Sequence, residues 1–291
     1  MRYRVTHTTT YGYAEPVATC HNELRLTPRT TARQSARRTQ LLLEPAPATL
    51  VSHRDFFGNV VTFVTVQEPH QRLVVTAMSD VEVAAAPPLD LAATPPWEAA
   101  RDRLRADRTD PALEAYQHAF DSPLVAVDEL VRQWAAPSFP PGRPLMVGVR
   151  DLVARLHAEF AYAPATTAIG TPIAEILRLR RGVCQDFAHL AIGGLRALGL
   201  AARYVSGYLE TFPPPGAERL VGADASHAWL AVFVPGLGWV DADPTNDLVP
   251  CTSHVTLAWG RDYADVPPVK GVILGGGEHT VAVAVDVQRL G

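Results

Sequence analysis

Cysteine is scarce in this sequence: Cys20, Cys184 and Cys251 are spread over 291 residues with no C-x-x-C pair among them. An odd, sparse set is a poor disulfide framework and a poor zinc site, and it fits a reducing compartment. An excess of one charge is lacking too. The 26 Lys and Arg stand against 30 Asp and Glu, a net −4, so bulk charge gives no nucleic-acid footprint. No apolar run approaches the ~18 residues of a membrane span. The opening MRYRVTHTTTYGY alternates polar and apolar residues where a signal peptide would carry a continuous apolar stretch. The expectation is a cytoplasmic protein with neither nucleic acid nor membrane as partner.

What is present is a globular composition, 47% hydrophobic and 19% charged, with length enough for one large or two medium domains. The first 85 residues read as strands: Tyr3–Val5 with Tyr11–Tyr13, Glu23–Leu26, Gln40–Leu43, Val60–Val66 and Leu73–Val83 are alternating or β-branched. Turn-formers separate them, and Gly58-Asn59 before VVTFVTV reads as a hairpin entry. A Pro/Ala patch, AAAPPLDLAATPPW, marks a boundary. Helical patterns follow over Trp97–Arg105, Pro111–Phe120, Leu124–Trp134 and Val147–Phe160, and Thr171-Pro172 reads as the N-cap and first position of a shorter helix. The next helix runs from Cys184 to a stop at Gly199, and its Gly193-Gly194 pair predicts close packing against another element. Strands return over Ala202–Leu209, His227–Val234 and Trp239–Asp241. The fold class is α+β: an antiparallel, sandwich-like β-rich domain (1–85), a helical connector (86–145), and a core with C-terminal strands (146–291).

Within RRGVCQDFAHL, Cys184 follows a glycine at the mouth of an apolar helix. A helix N-terminus offers free N–H groups and partial positive charge, which favour a thiolate. A nucleophilic thiol also needs an imidazole and a group to orient it. His227 opens the strand SHAWL, and Asp243 lies in WVDADPT, with PGLG between them as a hairpin turn. Antiparallel neighbours joined there bring His227 and Asp243 side by side. Asp241, two residues away and on the same strand face, competes for the orienting role.

Here the residues resemble a known family. GVCQDFAHL, RALGLAARYVSGY and SHAWLAVFVPGLGWVDADPT resemble the core of the transglutaminase-like superfamily, and GRDYADVPPVKGVILGGG its bacterial tail. HTTTYGYAEPV, NELRLTPR and DFFGN resemble the β-rich domain that precedes this core in bacterial members. The resemblance implies a papain-like fold in which a helix bearing the cysteine packs on an antiparallel sheet. It implies Cys184 as nucleophile, His227 as general base and acid, and Asp243 as the orienting carboxylate, with no metal and no cofactor. Superfamily activities include crosslinking, deamidation, amide hydrolysis and acyl transfer.

Around that trio, Gln185, Asp186 and Trp229 are candidates for lining the site or its oxyanion donors; Trp229 and Tyr208 read more readily as core aromatics than as subsite residues. His189 reads as a buried hydrogen-bonding residue, since C-x4-H alone is a weak zinc pattern. Arg180 and Arg181 read as a solvated helix end. The function expected is a cysteine-dependent amide or peptide hydrolase acting on a peptide or amide-bearing substrate. The rivals are an acyl transferase that crosslinks glutamine side chains, and a non-catalytic peptide-binding scaffold. Exposed edge strands of the N-terminal domain would permit a homo-oligomer.

Overall fold

A computed structural model describes residues 1–211 and 226–290. Strands β1 (Arg2–Leu24), β2 (Gln34–Glu44), β3 (Thr49–Arg54), β4 (Val60–Val66) and β5 (His70–Val83) come first. Helices α1 (Trp97–Ala106), α2 (Asp110–Tyr116), α3 (Glu129–Ala135) and α4 (Leu145–Glu159) follow. Then come β6 (Ala161–Tyr162), α5 (Ile173–Leu179), β7 (Arg181–Gly182), α6 (Cys184–Ala197), β8 (Ala202–Leu209), β9 (Ser226–Val234), β10 (Gly238–Ala242) and β11 (His254–Gly260). The chain closes with β12 (Val269–Gly275) and β13 (His279–Leu290). No helix of the described residues is long and apolar enough to cross a membrane.

The first sheet is antiparallel, as the alternation in the sequence requires, and β1 is its spine. The several short runs read near the N-terminus are one strand of 23 residues, with β5 and β4 on one side. Its other side is filled from the far end of the chain: β13 pairs with Arg2–Tyr13 and β12 with Val17–Leu24. Residues 269–290 therefore belong to this sheet and not to the core with which their position in the sequence had grouped them. The physical reason is the edge: without them the long side of β1 would present unpaired N–H and C=O groups. The sandwich partner of the sheet is the core itself. Tyr3, Leu24, Val64 and Val75 share one buried cluster with Tyr208 of β8 and with Val255 and Leu257 of β11. Buried side chains stitch the two together: Gln34 donates to the Thr256 carbonyl at 2.7 Å and accepts from its N–H at 2.7 Å, and Asn59 does the same with Trp259 at 2.9 and 3.0 Å.

The second sheet has the order β10-β9-β8-β11, and α6 packs across it. α6 is buried almost all round, with Phe187, Leu190, Ala191 and Leu195 inside. The glycine pair permits this. A Cβ on Gly194 would stand 2.9 Å from the Cβ of Ala135, and one on Gly193 2.5 Å from Ile173 Cδ1. Two expected helix starts move. α3 begins at Glu129, because Asp128 caps it by accepting the Val131 N–H at 2.7 Å. The N-cap of α5 is Pro172, while Thr171 turns its hydroxyl back onto Ala168.

Gly207 in β8 is the tightest point of the core sheet: an added Cβ would lie 2.2 Å from the Val255 carbonyl oxygen and 2.5 Å from the Trp229 ring. Backbone cannot yield as a side chain can, so Gly207→Ala should lower the unfolding free energy by about 3 kcal/mol. A urea titration with an unchanged m-value and a loss under about 0.5 kcal/mol would contradict that packing.

Candidate active site

Cys184 is the first residue of α6, preceded by Val183 in extended conformation. The first N–H groups of a helix have no partner further back in it, so this end of α6 gathers donors and partial positive charge around the thiol. Asp186 fixes the entry. Its Oδ2 accepts the Val183 N–H at 2.9 Å and the Thr167 hydroxyl at 2.6 Å. Gly182 is the room this needs, since a Cβ there would sit 2.8 Å from that same oxygen. The glycine before the cysteine is thus a matter of space: it lets a buried carboxylate cap the helix that carries the thiol. Cys184 itself is partly exposed, whereas Cys20 is buried and Cys251 exposed.

The β9–β10 hairpin delivers the imidazole. His227 Nε2 lies 2.8 Å from Asp243 Oδ2, just past the end of β10, and Cys184 is close enough to the ring to act on its charge. With Nε2 committed to the carboxylate, Nδ1 is the nitrogen left for the thiol. His227 is buried, and burial alone would lower its pKa. The hydrogen bonds to Asp243 and Cys184, and the charges of both, outweigh that and push it up to about 9. Burial likewise works to raise the pKa of Asp243, but its hydrogen bonds from His227 and His254 hold it well below the usual carboxylate range.

Asp243, fully buried, is saturated with donors. Oδ1 accepts the N–H groups of Thr245 (2.9 Å) and Asn246 (3.2 Å). Oδ2 takes His227, the Asn246 amide (2.8 Å) and His254 Nε2 (3.0 Å). The loop beyond it is clamped from α4: Arg150 pairs with Asp247 through both guanidinium nitrogens, and His157 bonds the Thr245 carbonyl at 2.8 Å. Asn246 and His254 were not singled out in the sequence. Asn246 stands directly after the Asp-Pro-Thr run, which is a signal of sorts; His254 opens a separate strand and carries none.

The remaining candidates separate. Asp241 is not on His227; it lies near the Arg203 charge. Trp229 is fully buried behind the site, stacked on His227 at 5.9 Å and edge-on to His254 at 5.1 Å. Asp186 is buried and caps the helix, and Gln185 is partly exposed beside the thiol. His189 accepts the Tyr263 N–H at 3.1 Å, and burial lowers its pKa to about 4. Tyr208 is core, its hydroxyl 3.1 Å from His7 Nδ1. Arg180 is no free charge: it pairs with Glu159 and lies over the Phe160 ring. Arg181 is exposed in β7.

His227, Asp243 and His254 bring ligand-type atoms within 4.8 Å of one another. They do not fit a metal in this arrangement. Both Nε2 atoms converge on the same Oδ2, and each carboxylate oxygen already receives two or more N–H donors. A cation would have to displace them.

A cysteine at the start of a helix packed on an antiparallel sheet that carries a His–Asp pair defines the class, and comparison with known proteins gives the family. The family model for the bacterial transglutaminase-like N-terminal region matches residues 3–82, and that for the transglutaminase-like superfamily matches residues 140–244. An uncharacterized protein of Mycobacterium tuberculosis is 44% identical over 294 residues, spanning 98% of this chain and 92% of the relative. A protein-glutamine gamma-glutamyltransferase of Pseudomonas aeruginosa is 37% identical over 98 residues, 32% of this chain and 14% of that one. A solved structure of a candidate cysteine protease from Cytophaga hutchinsonii superimposes with a TM-score of 0.77 at 20% identity, over 99% of this chain and 90% of that one, a likeness of fold. The chain belongs to the transglutaminase-like superfamily and carries the bacterial N-terminal region of that family.

The raised pKa of His227 has a consequence for stability. Below pH 6.5, where the unfolded imidazole is also protonated, its contribution is fully present. Between pH 6.5 and about 9 the folded state keeps a proton that the unfolded state has lost, so the contribution shrinks as pH rises. The stability difference between wild type and His227→Gln should fall from pH 6 to pH 10 by up to about 3 kcal/mol. Urea titrations of both across that range measure it; a flat difference contradicts the charged pair.

Proposed function

We propose that this protein is a cysteine-dependent amide hydrolase working through a thioester acyl-enzyme on Cys184. The observation that carries the reading is His227, bonded through Nε2 to the buried Asp243, with Cys184 at the start of α6 close enough to act on the charge of the same ring. A thiolate beside an imidazolium at a helix N-terminus is a nucleophile.

Cys184 Sγ attacks the amide carbon, and the carbonyl π electrons move to oxygen. The free first-turn N–H groups of α6, those of Cys184 and Gln185, are the donors proposed to receive that oxyanion. The tetrahedral species collapses as the C–N bond breaks, and His227 gives its Nδ1 proton to the departing amine. What remains is the acyl thioester and a neutral imidazole. His227 then takes a proton from water, the resulting hydroxide adds to the thioester carbon, and the C–S bond breaks to release the acid and restore the thiolate–imidazolium pair. Asp243 keeps Nε2–H in place throughout, so that Nδ1 is the nitrogen that gains and loses the proton.

The same thioester can be opened by an amine in place of water. The match to a protein-glutamine gamma-glutamyltransferase over 98 residues supports that second reading, acyl transfer.

Cys184→Ala should reduce turnover of small peptide amides by about 10³-fold or more with unfolding unchanged. The descending limb of the wild-type kcat/KM profile should lie near pH 9, where the imidazolium is lost. In Asp243→Asn that limb should move toward ~6.5, with kcat/KM down by about 10²–10⁴-fold. Residual activity near wild type in Cys184→Ala removes the nucleophile, and an unmoved limb in Asp243→Asn removes the pairing. Mass spectrometry of the acylated Cys184 peptide, with and without a primary alkylamine, separates hydrolysis from transfer.

A further inference from the structure

At the seam between the two sheets lies a cavity of about 200 Å³, on the far side of the core sheet from α6. Alternation along β8 sets that side: Ala202 and Tyr204 belong to the cluster around α6, whereas Arg203 and Val205 face the cavity. Cys184 has no part in its lining.

Arg203 is the group that needs explaining. It is 7% exposed, and its guanidinium is held flat between two indoles, with Cζ 3.7 Å from the Trp259 centroid and 4.3 Å from that of Trp239. Its Nε is buried with no partner. Among the described residues none accepts a hydrogen bond from its Nη atoms or forms an ion pair with it, so the fork of donors is left to the cavity. A buried cation without an acceptor is costly. Burial accordingly pulls its pKa down, offset in part by the more distant charge of Asp241. The stacking is what keeps it in place: Arg29 lies on Trp259 as well, at 3.5 Å, so the column is Arg29, Trp259, Arg203, Trp239.

We propose that this cavity is a binding site for a carboxylate, received by the Nη fork of Arg203. A planar guanidinium with two free donors matches a carboxylate in two parallel hydrogen bonds. Arg33 on the cavity wall adds a second positive charge against the single negative charge of Asp241, which suits a monoanion. At about 200 Å³ the space falls below the roughly 300 Å³ at which drug-sized pockets begin, so the occupant is a small acid or the end of a chain. The indole faces take its apolar part. His254 lines the same cavity while its Nε2 bonds Asp243, so the bound acid would sit one imidazole away from the His227–Asp243 pair.

The test is a titration of the full chain with sodium propionate and with its neutral counterpart propionamide at constant ionic strength, followed by calorimetry and by tryptophan emission. Propionate should bind saturably, and propionamide at least about tenfold more weakly. Arg203→Met should weaken propionate by a similar factor. Because that change also breaks the column of rings, Cys251→Phe is the second variant: Cys251 is exposed at the mouth, and a phenyl ring there blocks entry while Arg203 stays. N-acetylglycylglycine separates the two sources of a carboxylate, since affinity equal to propionate assigns the site to a chain end and weaker affinity to a free acid. No saturable binding, equal affinity for propionamide, or wild-type affinity in folded Cys251→Phe overturns the site.

Discussion

The site hangs on one buried carboxylate. Asp243 is fully buried, and an ionised carboxyl in such a place is tolerable only when donors replace its water. The chain supplies five: two backbone N–H groups, one amide and two imidazoles. Three of these come from the loop immediately after it, so the negative charge organises its own surroundings before any substrate enters. The imidazoles come from elsewhere, His227 from β9 and His254 from β11, and each is drawn to the same oxygen. The proton that His227 keeps up to about pH 9 is the counterpart of that buried charge.

A second buried carboxylate works the opposite end of the same few ångströms. Asp186 caps α6 from inside its own first turn by taking the Val183 N–H, which leaves the N–H groups of the following residues unconsumed by the cap. Gly182 exists for that carboxylate, and the glycine pair further along lets α6 sink against α3 and α5. Helix position and helix polarity are therefore set by packing, and the thiol inherits both. A cysteine elsewhere on α6 would be one more buried thiol.

This division explains what could be read from the sequence. Cys184 at a helix start, and His227 and Asp243 on the arms of a short hairpin, are local relations that survive as motifs along the chain. The N-terminal alternation likewise dictates a strand wherever it runs. Contacts between distant segments leave no such trace. Nothing in the residues of β12 and β13 announces that they return to β1, because an edge is completed by whichever strand reaches it. His254 looks like any strand-opening histidine until β11 lies beside β8. Leu124–Val127 keep an apolar pattern compatible with helix, yet Asp128 wins as the cap and Ser122 and Val125 bridge each other instead. Arg203 is hidden in the same way, since its two indoles come from β10 and β11.

The return of β12 and β13 also changes what the N-terminal module is. A recognition arm on a linker could move independently of the core; this sheet is built from both ends of the chain and shares a buried cluster with Tyr208, Val255 and Leu257. Gln34 and Asn59 each satisfy a donor and an acceptor on the β11 backbone, and such reciprocal buried bonds fix orientation as well as distance. β11 begins with His254 and ends just past Trp259, so the module grips the strand that carries one donor to Asp243 and one wall of the Arg203 cavity. β11 thus ties the module to the site, by setting where His254 stands relative to Asp243, while Tyr208 and Glu210 tie it to β8 through His7, Tyr3 and Arg289. Removing the module would expose an apolar face of the core sheet and free β11 together, which makes sheet and core one folding unit despite the two family regions they represent.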